Sequence, residues 1–467
     1  MSNHKPDSTI DSGDFEPGPE AVGAPRFEFG RRSLDDQSGT ITLGWRLYSA
    51  QRWHEFEERF EIPLEGPVPA GRRDAIEAAL DLLHWIAGVS YWKAICRGSV
   101  AFLQRAPDAF QASVLDTVYQ QGLAELAWQN GLGCRYWPVF TGPESGPGRG
   151  AVPAGLAPRV LVPMGGGKDS LVALERVRSA GFEPETVQVG SAALIADVAK
   201  RAGTRHRVIR RRLDPGLGRL NAAGALNGHV PITAINAAVM VVAALLWDFD
   251  SLVFANERSA DAPTLTTADG RSVNHQFAKS FQFEHLLDQW IGRYIASDLK
   301  VFSILRRERE LTVCREFAGL ERYHGVFSSC NRNFHLDGPR TRRWCGQCPK
   351  CLFVFLALAP FLSPQRMQAI FGADLLDRSE LIEGFDQLLE LQGPRPFECV
   401  GEADEARAAV RMLAGDPGWR DHAVVAALTE RLENVDIPEW SQLLAAHGDH
   451  LIPEKFLACN SNDSSKA

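Results

Sequence analysis

A glycine-rich turn that carries a lysine, a carboxylate and a hydroxyl is the first group in this sequence that could do chemistry. Its residues are, in order, Gly165, Gly166, Gly167, Lys168, Asp169 and Ser170. An apolar, strand-like run, 159–163, precedes the turn, and a helical pattern follows it. Glycines let backbone N–H groups approach an anion, and the start of a helix adds partial positive charge. The turn is therefore predicted to bind phosphate.

The turn differs from the P-loop of kinases and GTPases. That pattern needs Gly-x-x-x-x-Gly-Lys followed by Ser or Thr, whereas Asp169 follows Lys168 here. A tight strand-to-helix turn without a ligand is the alternative interpretation. The Lys-Asp-Ser sequence at the start of the helix favours the phosphate site.

The turn resembles the diphosphate loop of the ATP pyrophosphatase (PP-loop) superfamily, Ser-Gly-Gly-x-Asp-Ser. The positions that match are Gly166, Gly167, Asp169 and Ser170. Gly165 replaces the leading serine, so one hydroxyl donor is missing, and Lys168 could supply compensating charge. The resemblance implies that ATP is cleaved between its α- and β-phosphates and that AMP passes to an oxygen nucleophile.

Four cysteines are spaced for a single metal ion: Cys330, and then Cys345, Cys348 and Cys351 in a Cys-x-x-Cys-x-x-Cys run. Four thiolates can close a tetrahedral zinc site against water. An iron–sulfur cluster also fits this spacing, and buried free thiols are a further alternative; zinc is the favoured interpretation. The pattern resembles the zinc site of 7-cyano-7-deazaguanine synthase, another ATP pyrophosphatase. The remaining cysteines are interpreted as core or surface thiols: Cys96, Cys134, Cys314, Cys399 and Cys459.

Polar residues after a buried strand, 252–255, form a second group of candidates. Asn256 and Arg258 lie in the turn that follows this strand, and His275 and Lys279 lie in a later segment of mixed polarity. The carboxyl ends of parallel strands are where ligands bind in open sheets. A purely structural hydrogen-bonding role for His275 or Lys279 is the alternative.

The elements that must position these groups divide the chain into several predicted parts. They are a disordered leader (1–26), an N-terminal α+β domain (27–140), a Pro/Gly linker (141–158), a PP-loop ATP-binding domain (159–325), a zinc module (326–362), a helical C-terminal region (363–459) and a tail (460–467). Strands alternate with helices in the ATP-binding part, which predicts an α/β fold with a mostly parallel sheet. The resemblance to the PP-loop superfamily implies that this fold is of the HUP-like type. Helical patterns at 73–96 and 108–130 follow strands in the N-terminal part.

Composition argues against several classes of protein. The net charge of −8 disfavours a nucleic-acid-binding surface, which needs clustered Lys and Arg. The apolar run 232–247 is short for a membrane span and contains Asn236, so it is interpreted as a buried helix without membrane insertion. The first 25 residues have no apolar core typical of an export signal, and the nine cysteines are odd in number, so disulfides are not expected. A cytoplasmic protein is predicted, and its oligomeric state stays open.

Several segments taken together resemble one family, the UDP-N-acetylmuramoyl-L-alanyl-L-glutamate epimerases of bacterial peptidoglycan synthesis. Besides the glycine turn they are 88–93, 256–259, 273–276, 279–280, 329–334, 345–351, 352–356 and 396–401. The resemblance spans about 27–457. The glycine turn and the cysteines are signals of the superfamily, whereas the polar segments are specific to the family.

The resemblance implies an isomerase that uses ATP and Mg²⁺ and acts on a UDP-muramoyl dipeptide ending in L-Glu. The carboxylate would be activated as an acyl-adenylate before inversion, with release of AMP and diphosphate. The residues assigned to the ATP site are Gly165, Gly166, Gly167, Lys168, Ser170 and Asn256, with Asp169 holding Mg²⁺ or diphosphate. Arg258, His275 and Lys279 are candidates for substrate binding or proton transfer.

Two other functions fit parts of the sequence. An amide- or nitrile-forming ligase like 7-cyano-7-deazaguanine synthase would share the loop and the cysteines but would need ammonia. A non-enzymatic zinc module on a degenerate nucleotide fold is the second, and the intact Asp169–Ser170 pair argues against it.

Overall fold

The computed structural model of the protein describes residues 24–133, 137–144, 150–333, 342–391 and 393–457. Most of the predicted leader, the predicted tail and the middle of the predicted linker lie outside the described residues. The same holds for Cys134, Phe334 and Cys459. The domain boundaries given above remain predictions from the sequence.

Among the residues that the structure describes, nine strands form one sheet, and two short strands form a separate hairpin. The strands are β1 (Arg26–Asp35), β2 (Thr40–Ser49), β3 (Arg52–Glu61), β4 (Ser99–Phe102), β5 (Val160–Pro163), β6 (Glu185–Val189), β7 (His206–Arg212), β8 (Ser251–Phe254), β9 (Leu265–Thr266), β10 (Ser272–Val273) and β11 (Lys300–Ser303). The order across the large sheet is β11-β8-β5-β6-β7-β3-β2-β1-β4.

The sheet has two halves of different character. Strands β11, β8, β5, β6 and β7 are parallel to their neighbours, as predicted for this part of the chain. Strand β3 joins β7 in antiparallel orientation, and β2 and β1 continue as an antiparallel meander. A turn at 36–39 connects β1 to β2. The N-terminal strands thus extend the parallel sheet.

Sixteen α-helices lie in the described part of the chain. They are α1 (Arg73–Ala87), α2 (Val89–Trp92), α3 (Ala109–Gly122), α4 (Ala124–Gln129), α5 (Lys168–Ser179), α6 (Ala193–Ala202), α7 (Pro215–Ala222), α8 (Ile232–Trp247), α9 (Phe281–Trp290), α10 (Glu310–Ala318), α11 (Pro349–Leu358), α12 (Pro364–Phe371), α13 (Ile382–Leu388), α14 (Ala403–Ala414), α15 (Ala423–Arg431) and α16 (Trp440–Leu443).

Each N-terminal helical pattern forms two helices instead of one. The first pattern breaks at Gly88, between α1 and α2, where a Cβ atom would lie 2.6 Å from Phe29 Cε1 and 2.8 Å from Tyr119 Oη. The absence of a side chain at Gly88 lets the backbone pack directly against these aromatic rings. The second pattern breaks at Leu123, between α3 and α4.

Two hydrophobic cores pack against the sheet, and both faces are covered at β5 and β8. Strand β5 shows the alternation, because Leu161 belongs to one core and Val160 and Val162 belong to the other. The first core contains the N-terminal strands, α1 and the predicted buried helix α8, which pack against each other. The second contains α5, α10 and the C-terminal helices α11 to α15. A strand buried on both faces explains the continuous apolar run at 160–162.

Within the described ranges, no helix combines the length and apolar character that crossing a membrane would require.

Candidate active site

A cavity of about 390 Å³ opens at the carboxyl ends of three parallel strands, β5, β6 and β8. This is the edge at which open parallel sheets bind ligands. The polar residues that line it include Asp169, Ser170, Thr233, Asn236, Asn256, Lys279, Ser328, Ser329, Asn331 and Lys350, together with the backbone of Gly165 and Gly167.

The glycine turn forms one wall of this cavity. Gly166 has a φ of 83°, a conformation that glycine adopts without strain, and its carbonyl accepts a hydrogen bond from the Ser328 N–H at 3.0 Å. A Cβ atom at Gly167 would lie 2.6 Å from Ser329 Oγ, so a larger residue here would displace the Ser329 hydroxyl. Gly167 precedes α5, and no side chain caps that helix. The first N–H groups of α5 are therefore available to an anion.

The Lys168 side chain turns away from the cavity into the protein. Its Nζ lies 2.5 Å from Asp169 Oδ1 and also contacts the Glu310 carboxylate. Burial by itself lowers the pKa of Lys168, but the two carboxylates outweigh it and raise the pKa well above its usual value. For Asp169, burial raises the pKa, and the charges of Lys168 and Lys350 more than compensate and lower it. Asp169 is thus an oriented carboxylate at the cavity wall.

Two other lysines supply positive charge to the cavity, Lys279 and Lys350. Lys279 ends a short 3₁₀ turn before α9, and Lys350 lies in the first turn of α11. The Asn236 Oδ1 atom is buried without a hydrogen-bond partner among the described residues. A ligand with phosphate groups and a hydrogen-bond donor would satisfy these groups.

A buried arginine fixes the two polar segments that flank the cavity. Arg306 donates to the carbonyl oxygens of Glu257 at 3.1 Å and of Lys279 at 2.7 Å. Its guanidinium also pairs with the Glu284 carboxylate at 2.8 Å. Only 1% of the Arg306 side chain is exposed, so its charge is used entirely inside the protein to hold these turns.

Arg258 does not line the cavity. It begins a short 3₁₀ turn after β8, and both of its Nη atoms are buried without hydrogen-bond partners among the described residues. Burial and the nearby charge of Arg309 lower its pKa, whereas Glu402 and Glu405 act in the opposite direction. The structure therefore separates Arg258 from Asn256 and Lys279, with which the sequence analysis grouped it.

The four predicted cysteine ligands come together, all with their sulfur atoms within 4.8 Å of one another. The separations are 3.5 Å for Cys348–Cys351, 3.7 Å for Cys345–Cys351 and 4.0 Å for Cys348–Cys330. Thiolates about 2.3 Å from one tetrahedral ion stand about 3.8 Å apart. Ligands of a cluster bind different irons and would stand farther apart. The geometry therefore fits a single metal ion.

This group could also shape the cavity wall. Cys348 immediately precedes α11, whose first turn carries Lys350 into the cavity. Cys330 is flanked by Ser329 and Asn331, which line the cavity from the other side. An ion held by these thiolates would fix both segments against the glycine turn.

His275 belongs to a second group of polar side chains. The Nδ1 atom of His275 lies 2.5 Å from Glu125 Oε2. The centroids of the His229 and His275 rings are 4.2 Å apart. Two ligands of one zinc ion would be about 3.3 Å apart, so the His275–Glu125 contact is a hydrogen bond and not shared metal ligation. Burial by itself lowers the pKa of His275, but hydrogen bonds with Cys399 and Glu125 raise it to about 9. His275 is therefore an imidazolium at neutral pH.

The sequence analysis missed four contributors to this region: Lys350, Asn331, Glu125 and Cys399. Lys350 and Asn331 lie directly beside cysteine ligands, and this position is a signal that could have identified them. Asn236 was also visible as the polar interruption of an apolar helix. Glu125 carries no local signal, because it meets His275 only through the tertiary structure. Cys399 lies in the segment 396–401 that resembles the family, but it was interpreted as a core or surface thiol, and its contact with His275 arises only in the tertiary structure.

Comparison with known proteins identifies matches along most of the chain. The model of the MurL N-terminal domain matches residues 20–304, and the model of the MurL C-terminal domain matches residues 326–442. Similar curated proteins are named UDP-N-acetyl-alpha-D-muramoyl-L-alanyl-L-glutamate epimerase. The protein from Xanthomonas oryzae pv. oryzae is 43% identical, with 91% of this chain and 95% of that protein covered. Those from Micromonospora sp. and Salinispora tropica are 38% and 40% identical and are covered over 94% and 90% of their lengths.

Proposed function

The chain belongs to the MurL family, and from this membership we propose that it inverts the terminal L-Glu of UDP-N-acetylmuramoyl-L-alanyl-L-glutamate to D-Glu in an ATP- and Mg²⁺-dependent reaction. The reaction proceeds through an acyl-adenylate and releases AMP and diphosphate. Its place is the cytoplasmic synthesis of peptidoglycan precursors. The ATP-dependent route is supported chiefly by the cavity in which the glycine turn, Asp169, Lys279 and Lys350 converge.

The need for ATP follows from the acidity of the α-carbon. Removing a proton beside a carboxylate would place a second negative charge next to the first. Attack of the carboxylate oxygen on the α-phosphorus of ATP breaks the bond to the β-phosphate and gives a neutral acyl group. Its carbonyl can accept the electron pair of the broken C–H bond. Reprotonation on the opposite face inverts the centre, and water then releases AMP.

The residues of the cavity divide this work. The N–H groups at the start of α5 and the hydroxyl of Ser170 hold phosphate oxygens, and Lys350 balances the charge of the diphosphate. Asp169 is the carboxylate that would hold Mg²⁺, and the ion would supply positive charge to the phosphates. Lys168 forms ion pairs with Asp169 and Glu310 and thereby positions the Asp169 carboxylate. Asn236 and Asn256 offer amide groups to the nucleotide.

The remaining candidate residues are assigned to substrate binding and proton transfer. Lys279 lines the cavity and shares Cys399 with His275 as a hydrogen-bond partner, so it is placed to bind the carboxylate that is activated. His275 contributes to proton transfer. Arg258, whose two Nη atoms are buried without hydrogen-bond partners among the described residues, is assigned to a substrate anion. The four cysteines hold a structural zinc ion.

Isotope exchange tests the proposed reaction. The protein is incubated with the UDP-muramoyl dipeptide, ATP and Mg²⁺ in D₂O, and the glutamate of the product is resolved by chirality. Inversion through a deprotonated α-carbon must exchange the proton, so D-Glu should carry deuterium at that carbon. AMP and diphosphate should form in equal amounts.

Omitting ATP is the control and should stop both inversion and exchange. Consumption of ATP with glutamate that stays L and unlabelled would exclude the epimerase, and an ammonia-dependent amide product would then identify a ligase. Formation of ADP and orthophosphate would exclude adenylation.

Replacing Lys350 with alanine should weaken ATP binding. A charge-assisted contact contributes about 1.5–3 kcal/mol, so the KM for ATP should rise on the order of 10-fold to 100-fold. Lys200→Ala, which removes an exposed lysine from α6, is the matched control and should leave this KM unchanged. Steady-state kinetics and metal analysis of both variants would check the prediction. An unchanged KM for ATP in Lys350→Ala would refute the assigned phosphate contact.

A further inference from the structure

We propose that the thiol of Cys399, held by His275 and Lys279, is the group that transfers the α-proton in this reaction, and that Glu125 positions His275 for it. This inference rests on the proposed function and adds a catalytic residue to it. Cys399 follows α13 in the loop that leads to α14, whereas Glu125 lies on α4 and His275 follows β10. Three segments that are distant in sequence thus bring the titratable side chains of Glu125, His275 and Cys399 together.

The contacts run in sequence from Glu125 to the cavity. Glu125 Oε2 lies 2.5 Å from His275 Nδ1, which leaves the other ring nitrogen free for a second partner. His275 and Lys279 both form hydrogen bonds with the Cys399 thiol. Lys279 in turn lines the cavity that contains the glycine turn. The thiol is therefore one side chain away from the proposed ATP site.

The loop that carries Cys399 is fixed by buried hydrogen bonds. Gln276 Nε2 donates to the Val400 carbonyl at 3.2 Å, which ties the loop to the segment of His275. Arg395 donates to the carbonyl oxygens of Gly401 at 2.7 Å and of Pro263 at 2.8 Å. A group that transfers a proton must be held in one position, and these contacts provide that position.

The charges around the thiol favour its ionised form. Burial raises the pKa of Cys399, but the charge of Lys279, the hydrogen bond with His275 and the charge of Lys350 lower it well below its usual value. Glu398 also faces this group; burial raises its pKa to about 7, which limits its negative charge. Burial and the neighbouring His275 lower the pKa of His229 to about 3, so that ring is neutral. These charges therefore favour a Cys399 thiolate paired with the His275 imidazolium.

The position of Cys399 suits the carbon that reacts. Cys399 does not line the cavity of the glycine turn itself, and it is half-buried. The α-carbon lies beyond the carboxyl group that is joined to AMP, so its base must stand beside the phosphate site and not inside it. The Cys399 thiolate meets this requirement, because it contacts Lys279, which lines the cavity.

The proton-transfer step balances without another reagent. The α-C–H bond breaks, the proton goes to Cys399 Sγ, and the electron pair moves into the acyl carbonyl to give an enolate. An acid on the other face then donates a proton to carbon, and the carbonyl forms again. The Cys399 thiol returns its proton to solvent. In the reverse direction the same thiol donates the proton.

Partial reactions separate this proposal from the proposed function. Exchange of labelled diphosphate into ATP, in the presence of the dipeptide substrate, reports adenylation alone, and deuterium incorporation from D₂O reports proton transfer. Cys399→Ala and Cys399→Ser should keep the diphosphate exchange within about threefold and lose deuterium incorporation by about 100-fold or more. Cys96→Ala, which alters a buried thiol in the first core, is the control and should keep both.

Deuterium incorporation within about threefold of the unaltered protein in both Cys399 variants would overturn the proposal. Loss of both partial reactions in a folded variant would also overturn it, because Cys399 would then serve binding. Absence of diphosphate exchange in the unaltered protein would instead refute the proposed function.

Alkylation of the unaltered protein gives a second readout that needs no variant at the thiol. An iodoacetamide adduct located by mass spectrometry should form at Cys399 at nearly constant rate between about pH 6.5 and 8.5, because the imidazolium persists up to about pH 9. An ordinary thiol, with a pKa of about 8.5, would react about 50-fold faster at pH 8.5 than at pH 6.5. Glu125→Gln should restore the ordinary slope if Glu125 positions His275. A steep slope at Cys399 in the unaltered protein would overturn the relay.

Discussion

Cys348→Ser should fail to retain metal and should unfold or aggregate instead of showing an isolated loss of activity. Cys348 lies 3.5 Å from one of the other thiols and 4.0 Å from another, and only 8% of the residue is exposed. A structural zinc ion supplies on the order of 10–16 kcal/mol of apparent folding free energy, which exceeds the net stability of many domains. Loss of one thiolate removes a ligand from a closed site inside the second core.

Metal analysis and thermal unfolding would check this prediction. The unaltered protein should contain one zinc ion per chain, without the visible absorbance of an iron–sulfur cluster. Cys314→Ala is the matched control, since it removes a fully buried thiol from the same core but no ligand. It should cost on the order of 1–2 kcal/mol and leave the zinc content unchanged. A folded, fully active Cys348→Ser protein would refute a structural role for the metal.

Asp169→Asn should lower the rate of AMP and diphosphate formation by about 1,000-fold or more. The carboxylate lies at the cavity wall, and the charges of Lys168 and Lys350 keep its pKa low despite burial. The amide has nearly the same shape but cannot provide the negative charge that a divalent cation requires. A 1,000-fold loss corresponds to about 4 kcal/mol of transition-state stabilisation.

The fold should survive this change, since the amide oxygen of the substituted side chain could still accept from Lys168 and the Lys168–Glu310 ion pair is kept. Coupled assays of AMP and diphosphate, together with circular dichroism, would measure both effects. Asp421→Asn is the control for the loss of one carboxylate, because 86% of that side chain is exposed. Wild-type turnover by Asp169→Asn would remove Asp169 from the metal or diphosphate site.

The sequence by itself determined those features that depend on short-range spacing. The apolar run at 232–247 predicts helix α8 at its observed bounds, because helix periodicity and flanking residues are local properties. The glycine turn between β5 and α5 and the convergence of four thiolates follow from spacing in the same way. The alternation of strands and helices also predicted the parallel half of the sheet.

The tertiary structure alone decided which way the charged side chains point and which of them meet. Lys168 was expected to face phosphate, yet it pairs with Glu310, 142 residues away, and Lys350 faces the cavity instead. Glu125 and His275 are 150 residues apart, and their contact brings a positioned imidazolium to Cys399. Local patterns cannot encode such contacts, because the free energy of a buried ion depends on the partners that folding places around it.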